Sequence, residues 1–85
     1  MEEIRHLVEQ NKFVIEVEGE QAMLHYHCFT SPTGEMTVDF DSTFVPTSFR
    51  GKGIAEKLVR TGLKWAKDNG YKMEASCWYA AKFIR

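Results

Sequence analysis

Nothing in these 85 residues approaches the run of about 20 apolar side chains that a membrane-spanning helix needs. Charge of neither sign dominates. Eleven Lys and Arg against twelve Asp and Glu leave a net charge of −1, so no sequence-wide basic field invites nucleic acid or an anionic membrane, and neither is expected as a partner. Cysteine is scarce. Cys28 and Cys77 stand far apart, form no CxxC pair and exclude a zinc ribbon. Reduced thiols of an intracellular chain are favoured over a disulfide between them. His25-x-His27 has no third ligand close in sequence, so no metal is expected. There are only two prolines and no Pro/Gly/Ser-rich linker, low-complexity tract or repeat to divide the chain. "MEEIRHLVEQ" is too charged for a secretory signal. The expectation is one cytoplasmic domain over residues 1–85.

What is present is a 44% hydrophobic complement arranged with clear periodicity. "FVIEV" (13–17) reads as a strand by its β-branched and aromatic content, and "EGEQ" (18–21) as a turn. "AMLHYHCF" (22–29) follows as a second strand. Ala22, Leu24, Tyr26 and Cys28 share the face assigned to the core; Met23, His25, His27 and Phe29 share a wetter one. After the turn "SPTG" (31–34), the segment 35–45 alternates, with Met36, Val38 and Phe40 opposite Thr37, Asp39 and Asp41. Asp39 and Asp41 read as a solvated face. Phe44 keeps the apolar parity while Val45 breaks it, which means either two covered faces or a bulge at that point. The first ten residues fit a helical turn or a short edge strand equally well.

A helix is predicted from about Gly51 to Asn69. Glu56, Lys57, Arg60, Lys64, Lys67 and Asp68 form its polar stripe, with Ile54, Ala55, Leu58, Val59, Gly62, Trp65 and Ala66 opposite. Glycine inside a helix costs about 1 kcal/mol against alanine, so Gly62 marks close approach to a sheet. Gly70 is the stop signal. "YKMEASC" (71–77) reads as a strand and "WYAAKFIR" (78–85) as the start of a second helix. The fold class is α+β, an α/β sandwich in which a mostly antiparallel meander sheet is followed by helix, strand and helix.

The strand-to-helix junction "VPTSFRGKGIAEKLV" (45–59) carries the most chemistry. First-turn amides have no partners inside a helix and sit at the positive end of its dipole. Glycine lets a phosphate approach the backbone, and Arg50 and Lys52 add full charges beside Gly51 and Gly53. An anion site is one reading; a tight connection flanked by solvated cations is the other. A Walker loop does not fit, because Gly53 is followed by Ile54 and Ala55 rather than Lys-Ser/Thr. The dinucleotide fingerprint lacks its third glycine, Glu56 standing in that place.

Arg50-x-x-Gly53-x-Ala55 resembles the R/Q-x-x-G-x-G/A signature of the GNAT superfamily of N-acetyltransferases. The longer pattern, Val45-Pro46, Arg50-Gly51, Gly53-Ile54-Ala55, a helix, then a strand ending Cys77-Trp78-Tyr79, is similar to the very small GNAT-like branch. The likeness covers residues 13–85 and is strongest over 43–83. It implies a GNAT-like fold and binding of acetyl-coenzyme A as co-substrate, with no metal. The diphosphate would rest on Arg50, Gly51, Lys52, Gly53, Ile54 and Ala55, and the pantetheine arm along Phe44 and Val45 of a bulged strand. Cys77 and Tyr79 would face the thioester, Tyr79 as the acid for the leaving thiolate and Cys77 as neighbour or nucleophile. The acceptor would be an amine on a small molecule or peptide. The branch commonly has a histidine four residues before the proline, where Ser42 stands here. That departure supports an alternative reading, a non-catalytic acyl-coenzyme-A-binding or interaction module.

Overall fold

The computed structural model describes residues 3–49, 51 and 53–84, Val17 by its backbone alone. Its strands are β1 (Ile4–Leu7), β2 (Lys12–Val17), β3 (Glu20–Thr30), β4 (Met36–Phe44) and β5 (Lys72–Ala75); its helices are α1 (Ile54–Asp68) and α2 (Trp78–Ala81). The strands form a single sheet in chain order. β1 to β4 are antiparallel neighbours, and β5 lies parallel to β4. A parallel neighbour demands a crossover, and α1 supplies it. The ambiguous N-terminus is the edge strand β1 followed by a 3₁₀ turn, Val8–Gln10. Between β2 and β3, Glu18 and Gly19 both take positive φ, 51° and 83°, the twist that a two-residue hairpin favours.

The core lies between one sheet face and α1. Phe13, Ile15, Ala22, Leu24, Tyr26, Val38 and Phe40 meet Ile54, Leu58, Val59 and Ala66 there. Cys28, assigned to this face, is instead exposed, since β3 runs on past the end of α1's cover. The helix begins at Ile54 rather than Gly51, because Gly51 and Gly53 hold positive φ of 82° and 72° that no right-handed turn accepts. Gly62 is the point of closest approach. A Cβ placed there would lie 2.8 Å from Leu24 Cδ2 and 2.9 Å from Phe40 Cε1, both on fully buried side chains.

Two departures from simple alternation shape β4. Its pairing with β3 slips between His25↔Ser42 and Tyr26↔Phe40, so Asp41 is an extra residue. The bulge therefore sits at Asp41, earlier than the junction at Val45. It carries Val45 onto the core side, while Phe44 points out at 54% exposure. Asp39 is not solvated as its parity suggests. It is 8% exposed, and its carboxylate accepts the Ser76 amide at 2.8 Å and the Ser76 hydroxyl at 2.7 Å. That clamp fixes the chain leaving β5 against β4.

At the other end of the core, the His6 ring stacks on Phe13 with centroids 4.0 Å apart and meets the edge of Trp65 at 4.8 Å. His6 Nε2 lies 2.6 Å from the Tyr26 hydroxyl. Burial pushes the Tyr26 phenol up to about 12 and holds His6 below the ordinary imidazole value.

Two outcomes follow from this packing. Gly62→Ala is expected to lose about 1 kcal/mol net, overpacking of Leu24 and Phe40 outweighing alanine's better helix propensity. A urea midpoint above the parent's would contradict the close contact. Because folding depresses the His6 pKa, the unfolded chain takes the proton first as pH falls below about 6.5. Stability present above that pH should then decline toward pH 5.5, and His6→Phe should flatten the decline. Equal slopes for parent and variant in urea titrations would refute it.

Candidate functional site

Parallel pairing of β4 with β5 runs from Thr37↔Lys72 to Phe40↔Ala75 and is closed by the Cys77 amide donating to the Phe40 carbonyl at 3.1 Å. Beyond that bond β5 has ended, while β4 continues, paired with β3 alone. The sheet thus opens into a wedge. Thr43, Val45, Ala55, Cys77, Trp78 and Tyr79 line a cavity of about 200 Å³ in it. A second cavity of about 270 Å³ is walled by Val45, Phe49, Gly51, Gly53, Ile54, Ala55, Glu56 and Tyr79. Val45, Ala55 and Tyr79 border both, so the two adjoin as one groove from the start of α1 to Cys77.

The α1 end of the groove is built to stay open. Gly53 caps the helix in the left-handed conformation without a side-chain hydrogen bond, and the first internal bond runs from the Lys57 amide to the Gly53 carbonyl at 3.0 Å. The amides of Ile54, Ala55 and Glu56 precede that bond and have no partner within the helix. A Cβ added at Gly51 or Gly53 would meet nothing within 4 Å. Glycine is required there by backbone twist rather than by packing. Arg50 and Lys52 lie outside the described residues. Glu56 puts a carboxylate on this wall, and Arg60 Nε donates to it at 2.7 Å, offsetting its charge.

At the other end, Cys77 occupies the N-cap of α2 with extended backbone, its Sγ 3.4 Å from Thr43 Oγ1. Burial raises the thiol pKa. The Thr43 hydroxyl and the backbone amides of Ala80, Tyr79 and Thr43 more than offset it, leaving Cys77 below the ordinary thiol value. Tyr79 lies between the cavities, its ring 5.4 Å from Phe83.

Among the residues singled out from sequence, Val45, Gly51, Gly53, Ile54, Ala55, Cys77 and Tyr79 come together around the groove. Phe44 does not: the bulge turns it outward, and it lines neither cavity. Thr43, Phe49, Glu56 and Trp78 line the groove without having been anticipated. The off-parity Val45 was the signal for Thr43, since whatever turns one residue inward turns the residue two before it. His25 and His27 lie on the opposite sheet face, where the Asp41 carboxylate accepts from their Nδ1 atoms at 2.8 and 3.4 Å. Neither borders the groove, and among the described residues no cluster of metal-ligating side chains forms. No helix among them is long and apolar enough to cross a membrane.

Residues 12–85 match the family model described as GCN5-related N-acetyl-transferase. The chain is similar to Protein NATD1 of Xenopus tropicalis, with 30% identity over 84 residues, 96% of this chain and 73% of that protein. The human Protein NATD1 is 29% identical over 84 residues, covering 96% and 71%. Among solved structures, a GCN5-like protein from Staphylococcus aureus superposes with a TM-score of 0.69 at 28% identity, covering 96% of this chain and 76% of that one. The ribosomal-protein-alanine N-acetyltransferase of Brucella melitensis biovar Abortus 2308 gives 0.65 at 22% identity over 85% of this chain. This chain spans about half of the Brucella protein, 56%, and that likeness concerns fold alone. With the family model matched across all but the first strand and the loop before β2, the chain belongs to the GCN5-related N-acetyltransferases.

Proposed function

We propose that the protein transfers an acetyl group from acetyl-coenzyme A to an amine. The observation that carries this reading is the groove that joins first-turn amides with no partner inside the helix at one end to Cys77 and Tyr79 at the other. Its chemistry suits the co-substrate. The amides of Ile54 and Ala55, at the positive end of α1, would hold the diphosphate. The edge of β4 beyond Phe40, which β5 leaves free, would take the pantetheine amides, as an added strand does. The Arg60 contact keeps Glu56 from opposing the diphosphate as an isolated charge.

Acetyl-coenzyme A supplies the activated acyl group. The protein's part is to orient it, keep water out and move one proton. Tyr79, bordering both cavities, is the residue to give its hydroxyl proton to the departing thiolate. Thr43 and Cys77 border the same end, the Cys77 thiol biased toward thiolate by its hydrogen bonds. The alternative, an acyl-coenzyme-A-binding module without turnover, draws its support from Ser42. That residue is exposed on β4 and paired in register with His25, so no imidazole stands at that position.

Ala55→Leu, which adds bulk where the cavities meet, should weaken acetyl-coenzyme A binding about tenfold or more while leaving far-UV circular dichroism unchanged. Amide signals of residues 44–58 should move on titration of the parent; if they stay still, the binding reading is lost. Thiol release over a panel of amines separates transferase from module, release at background rate favouring the module. Tyr79→Phe should lower the release rate by about 10²-fold with little change in acetyl-coenzyme A affinity. A rate equal to the parent's would remove Tyr79 from the acid role.

A further inference from the structure

Lys82 follows α2 directly, and its side chain folds back toward the start of that short helix. The ammonium lies 4.5 Å from the Trp78 ring centroid and 5.5 Å from that of Tyr79. Both rings line the 200 Å³ cavity that also holds Cys77. Trp78 is 72% exposed, the most exposed of the large apolar side chains among the described residues. It stands at the mouth of the groove rather than in the core. A primary alkylammonium thus already rests on a pair of aromatic faces beside the place proposed for the thioester.

We propose that Lys82 is itself an acetyl acceptor, modified in cis by the acetyl group bound in its own groove. This rests on the acetyl-coenzyme A reading above. The aromatic pair does not ionise the amine; it confines it, and confinement next to a bound electrophile replaces a bimolecular encounter by an intramolecular one. Lys82 is exposed, so its ammonium gives up one proton to bulk water. The neutral Nζ attacks the thioester carbonyl carbon, the C–N bond forms and the C–S bond breaks. The second Nζ proton leaves to water, and the coenzyme A thiolate takes a proton from the Tyr79 hydroxyl, which water restores. One amide, one free thiol and one net proton result. The modification removes the only charge held on the Trp78 face among the described residues and leaves an indole uncovered at the groove mouth.

The test is peptide mass mapping after incubating the purified chain with acetyl-coenzyme A. Lys82 should gain one acetyl group at least on the order of tenfold faster than the exposed Lys57 and Lys67, at a rate per molecule independent of protein concentration. The preference should vanish in urea. Trp78→Leu should slow it roughly threefold, by loss of the aromatic surface that keeps the Lys82 side chain beside the groove. Equal acetylation of all three lysines, acetylation of Cys77 with Lys82 untouched, or a rate that climbs with protein concentration would each overturn the proposal. The amide signals of residues 44–58, followed in parallel, tell the failures apart. If they shift while Lys82 stays unmodified, this proposal alone falls; if they do not shift, the binding reading falls with it.

Discussion

Asp41 adds one residue to β4 and rotates everything after it by one step of the pleat, so that Thr43 and Val45 turn inward and Phe44 turns out. The groove depends on that rotation. Without it, Val45 would face the open side of the sheet, and the wall it shares with Ala55 and Tyr79 would be missing. The extra residue bends β4 just where β5 stops. Asp39 clamps the other lip through Ser76, holding Cys77 at the apex by its bond to Phe40. Here one residue's displacement in register becomes a cleft of molecular size.

Electrostatics then differentiate the two ends of that cleft. At the start of α1, uncapped amides and the helix dipole favour an anion, and the carboxylate of Glu56 is offset by Arg60 rather than left facing the cavity alone. At Cys77, hydrogen bonds from Thr43 and the first turn of α2 hold the thiol pKa below its ordinary value despite burial. The middle, formed by Val45, Ala55 and one side of Tyr79, is mostly apolar and suits a flexible acyl arm. The sheet and one long helix thus present helix-terminal amides, an apolar middle and a thiol beside a phenol in sequence.

Much of this was legible in one dimension because the patterns are local. The meander, the amphipathic span of α1, the stop at Gly70 and the contact at Gly62 follow from periodicity, turn chemistry and the cost of glycine in a helix. What local pattern misread is instructive. Cys28 has core parity, yet α1 does not reach it; Asp39 has surface parity, yet the chain beyond β5 folds over it. Parity describes which side a residue is on, not whether anything covers that side. Trp78 and Thr43 went unassigned as groove residues for the same reason, since their neighbours across the wedge are more than twenty residues away in the chain.

By itself, the order of residues determined the type and order of the elements after the first ten residues, the two glycines that end the loop before α1, and the family signature from Arg50 to Ala55, all set by interactions within a few positions. Tertiary structure decided where β4 slips against β3, and that the α1 and α2 ends share one groove. The groove depends on β5 arriving beside β4 after the long crossover and ending early. Such long-range meetings are governed by packing and burial, which no short window of residues contains.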